Sequence, residues 1–113
     1  MKPAGYFLIV AAVGLALSGI ATLGSSVPAH AATVQITMRD LEIAPATADA
    51  RVGDTIEWVN DDIFVHSATA RNGDWDVTLP PNKTVRLVLK KAGAIDYYCR
   101  FHPNMKARLT ISP

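Results

Sequence analysis

Short alternations of apolar and polar residues fill most of the chain from residue 33 onward, and turn-forming sequences separate them. Val34, Ile36 and Met38, for example, alternate with polar neighbours. A period of two is typical of strands that bury one face. The Asn-Gly-Asp sequence at 72–74 is a hairpin-type turn signal. No segment of this region has a convincing helical period, so the sequence predicts an all-β fold.

About seven to eight strands fit this pattern within a single domain. We predict them at residues 33–38, 47–52, 55–60, 65–70, 74–79, 84–90, 94–99 and 106–112. Several short strands at this spacing are typical of an antiparallel sandwich or barrel.

Residues 1–31 have a different composition. Lys2 is the only charged residue before Arg39, an apolar stretch covers residues 6–17, and Ala29-His30-Ala31 has the form of a small-x-small cleavage site. This order is that of a secretory signal peptide. The alternative is an uncleaved anchor, because residues 4–23 approach the roughly 20 residues that span a bilayer. We expect residues 32–113 to form the domain, in the periplasm or, with the leader retained, on the outer face of the membrane.

Charge and cysteine content narrow the class of protein. Ten Lys and Arg residues follow Lys2, against ten Asp and Glu, so the domain lacks the basic excess of a nucleic-acid binder. We expect no contact with a membrane unless the leader stays. Cys99 is the only cysteine and has no internal disulfide partner. Because an exported thiol is exposed to oxidants, Cys99 is predicted to be either buried or bound by a ligand.

The sequence Cys99-x2-His102-x2-Met105 lies between two predicted strands, and His66 is the only other histidine after residue 31. Singly, such residues are more often a buried thiol, a satisfied imidazole and core filler. Together, one thiolate, two imidazoles and a thioether form the ligand set of a blue-copper site. Zinc would favour carboxylate over thioether, and no Cys-x-x-Cys-His haem motif occurs. We predict one copper ion held by these four residues.

The copper motif, preceded by Tyr97-Tyr98, resembles the copper loop of amicyanin-type cupredoxins. Residues 52–60, followed by His66, are similar to the strand that leads to the first histidine ligand in that family. The resemblance spans residues 33–112. It implies a Greek-key β-sandwich with a type 1 copper that carries single electrons, without enzymatic activity. It also implies a monomer whose redox partners are a donor dehydrogenase and a cytochrome-like acceptor.

The resemblance also assigns roles around the ligands. Ser67 would offer its N–H to the sulfur of Cys99, and Asn60 would help to tie the two copper-binding segments together. Phe101 stands where amicyanins usually have proline. It is therefore expected to add a second N–H to the sulfur, to serve as an apolar contact for a partner, or to do both. His102 would be the exposed ligand through which electrons leave.

Two other functions compete with electron transfer. A copper oxidase or nitrite-reductase-like enzyme needs a further His-rich centre, and His30 lies in the leader, so no histidine remains for one. A copper chaperone or store is harder to exclude, although such sites tend to be Met-rich and only Met38 and Met105 follow the leader.

The remaining prominent residues have structural interpretations. Trp58 is predicted in the core, whereas Trp75 could be a lid or a packing residue. Four charged residues are expected to be solvated: Asp61, Asp62, Arg100 and Lys106. The two basic residues among them would give a weak preference for an acidic partner.

Overall fold

The computed structural model describes residues 31–113 and, ahead of them, Gly19 alone. The predicted leader therefore lies almost entirely outside the described residues. Within the described part of the chain, no helix is long and apolar enough to cross a bilayer.

Residues 31–113 contain nine strands joined by turns and loops. They are β1 Thr33–Arg39, β2 Glu42–Ala44, β3 Thr47–Arg51, β4 Thr55–Asn60, β5 His66–Ala70, β6 Asp76–Leu79, β7 Thr84–Val88, β8 Gly93–Tyr98 and β9 Lys106–Ser112. Eight of them lie within two residues of the predicted positions, and β2 is the strand that the sequence pattern did not predict.

The strands form two sheets, ordered β2-β1-β4-β7 and β3-β9-β8-β5-β6. This confirms the all-β sandwich. Each sheet contains one parallel pair, β1 with β4 and β3 with β9, so the sheets are mixed rather than purely antiparallel. Because the alternation of side chains is the same in both kinds of pair, the sequence pattern could not reveal the direction of pairing.

The core lies between the two sheets and follows the alternation read from the sequence. In β4 the side chains of Ile56, Trp58 and Asn60 are buried, and their neighbours in the strand are half-buried. In β9, Leu109 and Ile111 face the core from the opposite sheet.

Three aromatic side chains pack together inside the sandwich. Trp58 and Tyr97 are fully buried, with ring centroids 5.9 Å apart, and the indole N–H of Trp58 lies 3.4 Å from the Tyr97 hydroxyl. Burial raises the pKa of Tyr97 to about 12. Trp75 packs against both rings at 5.2 and 5.3 Å and is half-buried, which makes it a packing residue.

Asp54 fixes the start of β1. One carboxylate oxygen accepts the N–H of Ala32 at 2.9 Å, and the other accepts the N–H of Arg51 at 2.8 Å. These two hydrogen bonds hold the pKa of Asp54 below its ordinary value. A lowered folded-state pKa means that the carboxylate stabilises the fold above the unfolded pKa, near 3.9, and that this contribution is lost as pH falls through the folded pKa.

We therefore expect Asp54→Asn to destabilise the domain at neutral pH, since an amide can accept only one of the two N–H groups. The difference in unfolding free energy between the variant and the unsubstituted protein should shrink in acid, because Asp54 of the unsubstituted protein is then protonated. Urea unfolding at pH 7 and below pH 3 measures this, with the exposed Asp49→Asn as control. A difference that is independent of pH would contradict the role given to the carboxylate.

Candidate metal centre

The topology brings two distant segments to one end of the sandwich. β5 begins at His66, and the segment Cys99–Met105 connects the end of β8 to the start of β9. β5 and β8 pair antiparallel with Thr69 opposite Tyr98. The start of β5 therefore lies beside the residues that follow β8.

Three side-chain donor atoms converge at this end. The Nδ1 atoms of His66 and His102 are 3.2 Å apart, and each lies 3.7 Å from the Sγ of Cys99. A point equidistant from three atoms so spaced lies about 2 Å from each, the length of a metal–imidazole bond. His66 and Cys99 are fully buried, whereas His102 is half-buried. The arrangement suits one copper ion.

Main-chain hydrogen bonds within the loop Cys99–Met105 fix its shape. The N–H of Cys99 donates to the carbonyl of Met105 at 3.0 Å, and the N–H of Met105 donates to that of His102 at 2.9 Å. The N–H of His102 in turn donates to the carbonyl of Cys99 at 3.3 Å. Met105, 2% exposed, is thereby buried in the same short loop as the two donors.

Asp62 orients the ring of His66. Its carboxylate lies 2.6 Å from Nε2, so Nε2 carries the proton and the lone pair of Nδ1 faces the site. The same carboxylate accepts the main-chain N–H groups of Asp40 and Leu41. Burial by itself would raise the pKa of Asp62, but its hydrogen bonds with His66 and the two amides outweigh burial and lower that pKa.

The prediction of a solvated charge is wrong for Asp62, whereas Asp61 is exposed as expected. The side chain of Asp62 is 10% exposed, and Asp61 forms an ion pair with Arg39. The spacing of four residues between Asp62 and His66 was the only signal in the sequence for the orienting role.

Ser67 occupies the position beside the sulfur that the resemblance implied. Its N–H lies 3.4 Å from the Sγ of Cys99, and its side chain is fully buried. Asn60 has a narrower role than expected. Its amide donates to the carbonyls of Phe64 and Leu79, which secures the segment before His66 but does not reach the loop that follows Cys99.

Exposed apolar side chains lie at the same end of the sandwich as the half-buried His102. The ring of Phe64, 49% exposed, meets the imidazole edge-on with centroids 5.9 Å apart, and Phe101 is 45% exposed. Ile63 and Leu41 are also largely exposed. Within residues 31–113 no hydrogen bond joins the Phe101 N–H to the sulfur. We call Leu41, Ile63, Phe64 and Phe101 the apolar rim.

A β-sandwich that gathers two imidazoles and a thiolate at one end is the architecture of the cupredoxins. Residues 7–111 match the family described as a cupredoxin-like domain, and the chain belongs to that family.

Among curated proteins, the chain is similar to the methylamine utilization protein MauL of Methylorubrum extorquens. The two are 31% identical over 91 residues, which cover 77% of this chain and 80% of the relative.

Two solved structures share the fold. Amicyanin from Paracoccus versutus superposes with a TM-score of 0.62 at 20% identity, covering 71% of this chain and 81% of amicyanin. The copper-containing nitrite reductase of Thermus scotoductus superposes with a TM-score of 0.64 at 25% identity. That match covers 72% of this chain but 22% of the reductase, so the resemblance concerns one part of the larger enzyme.

Proposed function

We propose that this protein carries single electrons by cycling one copper ion between Cu(I) and Cu(II). His66, Cys99 and His102 are the equatorial ligands and Met105 the weak axial ligand. The convergence of three donor atoms within 3.2–3.7 Å of one another is the observation that supports this function. A His2Cys set with a distant thioether is the chemistry of blue-copper electron-transfer sites.

Rigidity of the donors favours a carrier over a copper-trafficking protein. Asp62 fixes one imidazole, and the ligand loop closes on its own main chain. Donors that move little between oxidation states lower the reorganisation needed for electron transfer. Because Cys99 and His66 are fully buried, handing the ion to another protein would require the site to open.

The apolar rim around His102 is the proposed surface for electron exchange. Clusters of exposed apolar side chains mark protein contact sites. Arg100 is paired with Asp76, whereas Lys106 has no carboxylate within 4 Å in the described part of the chain, so Lys106 carries the preference for an acidic patch on the partner.

The partners are redox proteins. The name of the relative MauL refers to methylamine utilization, and the proposed partners are a donor dehydrogenase and a cytochrome-like acceptor. The proposed location is the periplasm, or the outer face of the membrane if the leader is retained, and the leader-like sequence of residues 1–31 supports it. The chain itself is proposed to have no enzymatic activity. His66 and His102, the two histidines that follow the predicted leader, are both used at the proposed copper site.

The decisive experiment loads the purified protein with Cu(II), records the visible spectrum and cycles it by voltammetry. We expect an intense blue absorption and reversible one-electron cycling without loss of metal. A colourless oxidised protein would refute the proposed centre. Release of copper on reduction would instead support a trafficking function.

Substituting Met105 by leucine is expected to leave the blue absorption and raise the reduction potential. The loss of an axial donor disfavours Cu(II) more than Cu(I). Voltammetry of the two proteins under identical conditions measures the shift, with the core substitution Met38→Leu as control. An unchanged potential would make Met105 core filler.

A further inference from the structure

The residue after the proposed thiolate ligand is attached to β5 through a buried hydroxyl. The main-chain N–H of Arg100 donates to the Oγ of Ser67 at 2.8 Å. Ser67 also directs its own N–H at the sulfur of Cys99. One residue thus holds both the thiolate and the peptide that follows it.

From Ser67 the hydrogen bonds continue outward along β5 and across to β6. The hydroxyls of Ser67 and Thr69 are 2.8 Å apart, and the Thr69 hydroxyl lies 2.8 Å from the Oδ1 of Asp76. An ionised carboxylate only accepts hydrogen bonds, so Thr69 donates to Asp76 and must accept from Ser67. Because the Ser67 hydroxyl donates its hydrogen bond to Thr69, its lone pairs are free to accept the N–H of Arg100.

The charge on Asp76 therefore sets the direction in which the hydroxyls of Thr69 and Ser67 donate. Hydrogen bonds that all run in one direction strengthen one another, and a charged terminus strengthens them further. The side chain of Arg100 also contacts this carboxylate, because its Nε donates to the same Asp76 oxygen at 2.9 Å. Hydrogen bonds from Arg100 and Thr69 lower the pKa of Asp76, which keeps the carboxylate ionised near neutrality.

We infer that Thr69 and Asp76 are positioning residues of the metal centre. Acting through Ser67, they fix the peptide between Cys99 and Arg100 and so hold the thiolate in its orientation. This inference rests on the proposed copper site, and neither residue touches the donor atoms. Hydrogen-bonding partners beyond the ligands commonly determine how well a metal site is preformed.

The chain offers a matched control for each substitution. We call the hydrogen-bond chain from Asp76 through Thr69 and Ser67 to the Arg100 N–H the relay. Thr78 accepts an Arg100 side-chain N–H at 3.3 Å but is not part of the relay, so Thr78→Val controls for Thr69→Val. Asp96 pairs with Arg108 at 2.8 Å, much as Asp76 pairs with Arg100, so Asp96→Ala controls for Asp76→Ala.

The experiment measures Cu(I) affinity by competition with a chromogenic chelator and, separately, the urea unfolding of each copper-free protein. We expect Thr69→Val and Asp76→Ala each to weaken Cu(I) binding about tenfold. The double variant should bind Cu(I) no more weakly than either single variant, because one substitution is enough to interrupt the relay. Thr69→Ser, which keeps the hydroxyl, should restore affinity, and both controls should bind as the unsubstituted protein does.

Unchanged affinity in Thr69→Val, or equal losses in Thr69→Val and Thr69→Ser, would overturn the inference while leaving the copper site intact. So would a lower unfolding midpoint of the copper-free variants with normal Cu(I) affinity, which marks a merely structural role. Failure of the unsubstituted protein to bind copper would overturn the proposed function and this inference with it. The exposed substitution Asp76→Ala tests the relay even if the change at Thr69 prevents folding.

Discussion

We expect the replacement of Cys99 by serine to abolish the intense visible absorption of the copper-loaded protein. That absorption is charge transfer from thiolate to Cu(II), and a hydroxyl supplies no comparable donor. The Sγ of Cys99 is fully buried 3.7 Å from both imidazole nitrogens, and the sequence has one cysteine, so no other thiolate can take its place. The spectrum of the loaded variant, beside that of the unsubstituted protein, gives the result directly.

The variant is expected to remain folded. A hydroxyl has nearly the shape of the thiol, and burying it costs about 1–3 kcal/mol, a loss reduced by the nearby Ser67 N–H. Circular dichroism of both copper-free proteins provides the control for folding. A folded Cys99→Ser protein that still turned blue with Cu(II) would mean that the sulfur is not a ligand.

Truncating Trp58 to alanine should lower the free energy of unfolding by about 3–5 kcal/mol. The indole is fully buried between the sheets and contacts the rings of Trp75 and Tyr97. The substitution leaves a cavity and removes the hydrogen bond to the Tyr97 hydroxyl. Domains of this size have about 5–15 kcal/mol of stability in total, so a large part of it would be lost.

Urea unfolding of the copper-free protein measures this loss without a contribution from bound metal. Phe64→Ala is the control, because that ring is 49% exposed and its truncation should change stability by about 0.5 kcal/mol or less. Equal midpoints for the two variants would show that the aromatic cluster does not anchor the core.

The sequence predicted the strands well where local alternation alone determines them. It missed β2 because Glu42–Ala44 is too short for alternation to be visible and is followed by Pro45. The strand exists through its pairing with β1, with Met38 opposite Ile43. Pairing between distant segments also decides which strands run parallel, and no local pattern carries that information.

The proposed ligands could be predicted from their positions in the sequence. Three of them share one short loop, so their spacing is visible in the sequence, and His66 was the remaining histidine. Asp62 was missed because its burial depends on two N–H groups contributed by residues more than twenty positions away. The hydroxyl link from Ser67 to Arg100 likewise depends on the register of β5 and β8.

The parallel pairing of β1 with β4 places the starts of both strands at one end of the sandwich and their ends at the other, and we call these ends its two poles. Both strands run toward the donor cluster, and Thr33 lies at the far end, about 20 Å away at the usual rise per strand residue. Any tether attached ahead of Thr33 would therefore leave from the pole opposite His102. A protein held to a surface by that tether would present its apolar rim outward, where a diffusing partner can approach without passing the attachment point.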